Sequence, residues 1–239
     1  MKYQATTPKT IQSLFNDIAP GYDKTNSLLS FGLYRFWNRS LIKTLEKEGV
    51  LNLLDLCAGT GEIALGFLKK EKKGKSVLLD FSKNMLEIAK QKGEKVKDRM
   101  ECLVGDAMHL PHAAEMFDGV SVAYGIRNVS QPKKCVSEAY RVLKPLGIFA
   151  ILELTRPTLF PLNLFHTLFL KTVLPLVGRM VTNNKAAYQY LCDSIHHFIS
   201  PKMLSLILQE EGFIEVQSKK LLGGVATLIV GKKPPLNVS

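Results

Sequence analysis

The sequence predicts an α/β fold with a doubly wound, mostly parallel seven-stranded sheet, an antiparallel last strand and a helical insertion. Strand-length apolar runs alternate with helical patterns over residues 51–154, which is typical of a parallel sheet. A mainly helical stretch follows at residues 158–211. Two final strand patterns flank Gly223-Gly224, which predicts an antiparallel hairpin that closes the sheet edge.

The individual elements follow from periodicity and from capping residues. Residues 1–49 are polar and predicted to be helical, with a turn at Pro20-Gly21. Ser82 is predicted to be the N-cap of the helix that follows the second strand. Strands are predicted at Leu51–Cys57, Ser76–Phe81, Met100–Val104, Phe117–Tyr124, Leu146–Leu154, Phe213–Lys220 and Val225–Gly231, and helices of the sheet region at Glu62–Lys70, from Ser82 through Lys92, and at Pro132–Leu143.

Composition limits the classes of partner. The chain has 239 residues, 46% of them hydrophobic, and a net charge of +11 from 32 Lys+Arg against 21 Asp+Glu. Such a balance suits a solvated lysine-rich surface, or an anionic partner such as nucleic acid or acidic lipid. Only seven of the 32 basic residues are Arg, and no interleaving of aromatic and basic residues resembles an RNA-binding platform, so we expect no nucleic-acid partner.

The cysteines indicate the compartment. None of the four stands in a CxxC pair, which argues against a zinc site and against a disulfide framework. We therefore expect a reducing cytosol and no metal. The apolar stretch LFPLNLFHTLFLKTVLPLV, which begins at Leu159, is broken by proline, histidine and lysine, so it is not predicted to span a membrane.

Acidic residues end three successive predicted strands around a glycine turn. The turn DLCAGTG contains Asp55, Gly59 and Gly61, and its glycines allow a ligand to approach the main chain. Asp80 ends the second strand, where a carboxylate accepts hydrogen bonds from a ribose diol. Asp106 follows the third strand, where its carboxylate could accept a hydrogen bond from the exocyclic amine of adenine. One such acid would suggest a helix cap, but three at this spacing favour a nucleoside site.

The charge of the turn selects among nucleosides. GTGEIA also fits the dinucleotide pattern GxGxxA, which is a weak signal alone. Asp55, four residues before Gly59, would repel a pyrophosphate but would pair with the ammonium of an amino acid. A zwitterionic adenosine ligand with a cationic centre fits better, and this description matches S-adenosylmethionine.

The chain closely resembles the ubiquinone/menaquinone biosynthesis C-methyltransferases, within the class I, Rossmann-like S-adenosylmethionine-dependent methyltransferases. The resemblance extends from Leu14 to Gly231 and rests on LFNDIAPGYDKTNSLLSFGLYRFWNR, LLDLCAGTGEIAL, LLDFSKNMLEIAK, VGDAMHLP, YGIRNVSQPKKCVSEAYRVLKPLG, LELTRP, YQYLCDSI and GVATLIVG. The glycine turn specifies only the class, whereas the N-terminal and GIRNV segments are specific to the quinone family.

The resemblance implies S-adenosylmethionine as cofactor and a polyprenylated quinol as substrate. It implies cofactor contacts at Thr60, Asp80, Asp106 and Ala107. Many members of the family have a cofactor-binding serine at the position of Ala123, so at this position the side-chain contact is expected to be lost or replaced. The expected reaction is C-methylation of demethylmenaquinol. Methylation of 2-methoxy-6-polyprenyl-1,4-benzoquinol, methylation of RNA and a non-catalytic scaffold role, suggested by Ala123, stay open.

We expect one domain with four parts. They are an N-terminal helical cap (1–49), a cofactor-binding core (50–154), a helical insertion that caps the substrate (155–211) and the C-terminal strands (212–231). The insertion would supply an apolar groove for the prenyl tail and a transient contact with the membrane surface. We therefore expect a cytoplasmic protein, peripheral at the inner face of the membrane, with homo-oligomerisation left open.

Four residues are candidates for the chemistry, which needs a phenolate and later the loss of a ring proton. Arg127 and Asn128 follow the fourth strand, where charge stabilisation is expected, although Arg127 would alternatively pair with Glu153 as a structural ion pair. Tyr22 would cover the cofactor, or else pack as an ordinary aromatic residue. His196 suits proton transfer near neutral pH.

Overall fold

The computed structural model describes residues 8–173 and 185–236. Three helices precede the sheet: α1 (Pro8–Ile18), α2 (Tyr22–Leu29) and α3 (Leu33–Lys47), with a 3₁₀ turn at Ala19–Gly21 between the first two. In α3, the residues that recur at helical spacing on one face are buried: Tyr34, Trp37, Leu41, Ile42 and Leu45. The predicted helical N-terminal region and its turn at Pro20-Gly21 are therefore present within the described residues.

Seven strands form one sheet, as predicted. They are β1 (Asn52–Leu56), β2 (Lys75–Asp80), β3 (Met100–Val104), β4 (Phe117–Ala123), β5 (Leu143–Leu154), β6 (Ile214–Leu221) and β7 (Ala226–Lys232), and their order is β3-β2-β1-β4-β5-β7-β6. The first five strands are parallel, and β7 runs antiparallel between β5 and β6. The predicted hairpin thus occupies the sheet edge, with β6 outermost.

Helices cover both faces of the sheet. The remaining ones are α4 (Glu62–Lys70), α5 (Lys83–Lys92), α6 (Pro132–Val142), α7 (Leu162–Leu168), which continues as a π-helical turn over Phe169–Val173, α8 (Lys185–His197) and α9 (Pro201–Glu210). Ser82 caps α5 as predicted, because its hydroxyl accepts a hydrogen bond from the Met85 N–H at 3.2 Å.

Alternate residues of the central strands enter opposite cores. Leu54 of β1 and Phe149 of β5 belong to the core under α6 and α9, whereas Leu53 and Ile148 belong to the core under α3 and α4. The strands are therefore buried on both faces, and the carboxyl ends of the parallel strands meet at one edge. That edge lies beneath the N-terminal helices and α7.

Within the described ranges, no helix is both long enough and apolar enough to cross a membrane. Residues 174–177, the last of the apolar segment from Leu159, lie outside the described residues.

Candidate active site

The glycine turn between β1 and α4 presents bare backbone to a cavity. Gly59 has a φ of +55°, and a Cβ added there would meet nothing within 4 Å, so the main chain faces open space. Gly61 plays a different part, because a Cβ on it would lie 3.0 Å from the Leu78 side chain and 3.1 Å from the Ala89 side chain. Gly59 therefore leaves room for a ligand, and Gly61 allows α4 to pack closely.

Asp80 is buried at the end of β2 and holds this turn. Its carboxylate accepts hydrogen bonds from the Gly59 N–H and the Ser82 N–H, both at 2.8 Å. Burial raises the pKa of Asp80 to about 6. The carboxylate and the exposed backbone of Gly59 line the same narrow cavity beside Tyr22.

Asp55 is buried in β1 and faces the same turn. The Ser121 hydroxyl donates to it at 2.6 Å and the Ala64 N–H at 3.3 Å. Burial raises the pKa of Asp55 to about 7. Among the described residues, no basic side chain forms an ion pair with Asp55 or Asp80. Two buried acids without a cationic partner beside open backbone fit a ligand that carries ammonium and sulfonium charges.

A neighbouring cavity, which Asp55 and Gly59 line, is covered by the N-terminal helices. Tyr22 and Tyr34 line it together with Thr60, Cys57 and Ala58. This cavity and the narrow one share Gly59, and together they form the acid-lined cavity at the glycine turn. The Thr60 hydroxyl donates to Asp23 at 2.6 Å, and Lys92 donates to Asp23 at 2.9 Å and also to Glu62. Residues 21–23 are thereby tied to the glycine turn and to α5, so the chain before the sheet forms one wall of the site.

A second, apolar cavity of about 290 Å³ lies beside the first. Its lining combines aromatic and aliphatic side chains of the N-terminal helices, α7, the π-helical turn and α8, including Phe31, Trp37, Phe165, Phe169, Leu191 and Ile195. Tyr22, Asn26, Tyr34 and Tyr124 line both cavities and form the wall between them. The lining suits an aromatic ring with an apolar substituent.

Arg127 and Glu153 form a buried ion pair at the edge of the apolar cavity. The Arg127 guanidinium contacts the Glu153 carboxylate at 2.5 Å, and their side chains are 5% and 2% exposed. Arg127 also donates to the Tyr124 carbonyl and, at 3.3 Å, to the Ser194 hydroxyl. Burial is the largest single influence on the pKa of Arg127 and lowers it, but the charge and hydrogen bond of Glu153, together with the neighbouring Tyr22 and Tyr190, raise the pKa overall, so the guanidinium stays charged. The structural pairing considered above is thus present, and Arg127 still lines the cavity.

The other predicted site residues divide into two groups. Asn128 and Ala123 line the narrow cavity beside Asp80, and the Tyr190 hydroxyl donates to Asn128 at 2.8 Å. By contrast, Ala107 is packed in the core, and Asp106 is exposed, with its carboxylate on the Met108 N–H and the His109 ring. Neither Ala107 nor Asp106 lines the acid-lined cavity or the apolar one.

The structure places His196 away from both cavities. Its side chain is exposed and packs edge-on against His197, because α8 turns Leu191 and Ile195 towards the cavity instead. His166 of α7 is the imidazole that lines the apolar cavity, and burial lowers its pKa. The apolar pattern around His166 concealed this position, since periodicity gives no signal for a polar residue that faces a pocket.

Several other lining residues were not found from the sequence. Trp37, Tyr34 and Tyr124 stand in ordinary amphipathic or strand patterns, and the Tyr124 hydroxyl reaches back to Asn38 at 2.9 Å. Lys92 was likewise missed, because its partner Asp23 is 69 residues away. Within the described residues, no group of three His, Cys, Asp or Glu side chains is arranged to hold a metal ion.

The fold is that of the class I S-adenosylmethionine-dependent methyltransferases. An S-adenosylmethionine-dependent methyltransferase from Thermotoga maritima, described as a possible histamine N-methyltransferase, aligns with a TM-score of 0.60 at 22% identity, covering 92% of this chain and 98% of that one. The [4+2]-cyclase SpnF aligns with a TM-score of 0.69 at 14% identity, covering 96% and 97%. Likeness at these identities shows the fold alone.

The family follows from the whole sequence. The model of the ubiE/COQ5 methyltransferase family matches residues 3–233, and the chain belongs to this family. A demethylmenaquinone methyltransferase of Protochlamydia amoebophila is 44% identical over 237 residues, which cover 97% of this chain and 98% of the relative. The ubiquinone/menaquinone biosynthesis C-methyltransferase UbiE of Dinoroseobacter shibae is 37% identical, with 93% and 90% covered. The protein is therefore an S-adenosylmethionine-dependent methyltransferase.

The two buried acids predict how stability depends on pH. Carboxyl groups titrate near pH 4 in the unfolded chain, whereas burial raises the pKa of Asp80 to about 6 and of Asp55 to about 7. Between these values the folded protein holds protons that the unfolded chain has lost. The free energy of unfolding should therefore fall as pH rises from about 4 to about 7. A bound cationic ligand would interact favourably with the two carboxylates once they are ionised. The increase in the free energy of unfolding that the ligand causes should therefore grow as pH rises over the same range.

Thermal unfolding between about pH 5 and about pH 8, with and without S-adenosylmethionine, measures both trends. The double variant Asp55→Asn/Asp80→Asn should flatten the pH dependence of the ligand-free protein. An unchanged slope in that variant would contradict the assignment of the effect to these two carboxyls.

Proposed function

We propose that this enzyme transfers the methyl group of S-adenosylmethionine to a ring carbon of a polyprenylated quinol, with demethylmenaquinol as the leading substrate. The observation that carries the proposal is the pair of cavities: an acid-lined one at the glycine turn and an apolar, aromatic-lined one of about 290 Å³ behind a shared tyrosine wall. The name of the Protochlamydia amoebophila relative supports the naphthoquinol head. A benzoquinol substrate is the alternative, supported by the name of the Dinoroseobacter shibae relative.

We assign the cofactor to the acid-lined cavity. Asp80 would accept from the ribose diol, Asp55 would face the ammonium group, and the backbone around Gly59 and Thr60 would support the rest of the ligand. Asp106 stays a prediction for the adenine amine. When bound, S-adenosylmethionine supplies an electrophilic methyl group and leaves as the neutral thioether.

The residues around the apolar cavity would activate and hold the quinol. An aromatic carbon becomes a good nucleophile when the neighbouring hydroxyl loses its proton and its electron pair is shared with the ring. Arg127, fixed by Glu153, supplies a permanent positive charge near that oxygen. Tyr22, which lines both cavities, would orient the ring, and burial raises its pKa, so its hydroxyl stays a donor. Asn128 lines the narrow cavity beside Asp80 and stays a prediction for the same reaction.

His166 replaces His196 in this proposal as the acceptor of the hydroxyl proton. Its lowered pKa keeps the imidazole neutral near pH 7, which is the state that accepts a proton. After the carbon–methyl bond forms, the ring carbon loses its proton to water. The oxygen then recovers the proton from His166, so the enzyme is restored and one proton is released overall.

Methyl-labelled S-adenosylmethionine, offered with reduced demethylmenaquinone and with the benzoquinol side by side, tests the function. We expect label in the naphthoquinol, and a His166→Gln variant should transfer methyl about 100-fold more slowly. His197→Gln, an exposed histidine outside the cavity, is the matched control. Label on RNA with none on either quinol would overturn the substrate assignment.

A binding measurement supplements this test without needing turnover. Trp37 is the single tryptophan of the chain and lines the apolar cavity. A prenylated naphthoquinone bound there should quench its fluorescence with saturation. No quenching would show that the cavity does not take the ring.

The proposed substrate also bears on where the enzyme works. A substrate with a polyprenyl tail resides in a bilayer, so we propose a cytoplasmic enzyme that contacts the inner face of the membrane transiently.

A further inference from the structure

Exposed apolar side chains are concentrated in two segments of the chain. The cap rim consists of Leu28, Phe31, Leu33 and Phe36, and the insertion rim consists of Leu159, Phe160, Leu164, Phe165 and Leu168. Phe31 is 78% exposed and Phe160 is 79% exposed. Single exposed hydrophobic residues are ordinary on a protein surface, but a concentration of nine in two segments marks an interaction site.

The two rims border one opening. Phe31 and Leu33 of the cap rim and Phe165 of the insertion rim line the apolar cavity. The Phe31 and Phe169 rings, 6.1 Å apart between centroids, bring the two segments together. Part of each rim therefore borders the cavity to which the quinol is assigned.

The size of the cavity separates the ring of the substrate from its tail. A cavity of about 290 Å³ lies at the lower end of the range for small-molecule pockets. It has room for a two-ring head but not for a chain of several isoprene units. The tail must leave through the mouth, where contact with water would be unfavourable.

The two chain segments that carry the rims are basic. Residues 24–45 and 155–173 contain no Asp or Glu. They carry exposed basic side chains at Lys24, Arg35, Arg39 and Arg156. An apolar patch surrounded by basic residues matches the interface of an anionic bilayer, where apolar side chains enter the acyl region and cations meet the headgroups.

We infer that the cap rim and the insertion rim together form a docking surface for an anionic lipid bilayer, with the cavity mouth opening onto the acyl chains. The quinol ring would enter the enzyme from the lipid while its tail stays in the membrane. This inference rests on the proposed function for its substrate, but the docking itself is measurable without methyl transfer.

Co-sedimentation with vesicles tests the surface. We expect the protein to bind vesicles that contain phosphatidylglycerol, to bind pure phosphatidylcholine vesicles much more weakly, and to be released by salt. Phe36→Ser/Phe160→Ser, at rim positions outside the cavity lining, should weaken binding about tenfold or more. Arg39→Gln/Arg156→Gln should remove most of the preference for anionic lipid.

Met203→Ser/Leu236→Ser is the matched control, because these side chains are 50% and 67% exposed but belong to neither rim. Equal binding by the rim variant and this control would overturn the inference. So would dimers in solution that the rim variant dissociates without any vesicle binding, since a second copy would then cover the surface. Vesicle binding by an enzyme that methylates no quinol would refute the proposed function and leave the docking surface standing.

Discussion

Replacing Arg127 with Met should lower the free energy of unfolding by about 3–5 kcal/mol, because it leaves the Glu153 carboxylate buried without a cation. Burial already raises the pKa of Glu153, and loss of Arg127 removes the charge that opposes this effect. The variant should therefore take up a proton at Glu153, and its defect should be larger at high pH than at low pH. Urea unfolding at two pH values measures the effect.

An exposed ion pair supplies the matched control. Lys133 contacts Glu210 at 3.0 Å with both side chains about 60% exposed, so Lys133→Met should cost less than about 1 kcal/mol. The double variant Arg127→Met/Glu153→Leu should regain much of the lost stability while methyl transfer stays low. Recovery of activity together with stability would mean that Arg127 acts only through folding.

Replacing Asp80 with Ala should weaken S-adenosylmethionine binding about 100-fold, because hydrogen bonds to a charged acceptor contribute about 1.5–3 kcal/mol each. The carboxylate also holds the Gly59 N–H at 2.8 Å, so its loss loosens the backbone that faces the ligand. Calorimetric titration with S-adenosylmethionine gives the affinity directly.

Asp80→Asn keeps the size of the side chain but removes its charge, and it retains only one acceptor oxygen where Asp80 serves the Gly59 N–H and the Ser82 N–H with different oxygens. We expect an affinity between those of the wild type and Asp80→Ala. Asp98→Asn, on an exposed surface position, controls for the loss of one negative charge. A wild-type dissociation constant for Asp80→Ala would remove Asp80 from the cofactor site.

The parts of the fold with strong local signals were predictable from the sequence. Glu62–Lys70 was predicted with its observed bounds, because glycines precede it and its apolar residues keep helical spacing. Asp55 and Asp80 were predicted to lie together because parallel strands end at one edge, and both are buried beside the glycine turn. Strand β5 begins at Leu143 rather than Leu146, since Pro145 and Gly147 concealed its first residues.

Features that depend on distant residues were not predictable. The orientation of His196 is set by which side of α8 packs inward, and the residue spacing left this undecided. Asp106 is held within its own turn by the Met108 N–H and the His109 ring. The exposure of its side chain, however, depends on the path of the loop that follows β3. The ties from Asp23 to Thr60 and Lys92 cross 37 and 69 residues, so no window of sequence contains them.

The tyrosine wall between the two cavities couples the binding of one ligand to the binding of the other. Tyr22, Asn26, Tyr34 and Tyr124 belong to both linings, so neither ligand can shift this wall without altering the site of the other. Any factor by which the methyl donor changes the affinity for the acceptor must equal the factor by which the acceptor changes the affinity for the donor. With the ligands bound as proposed, the demethylated donor left after the reaction would share the same wall, and its release would be linked to release of the methylated ring.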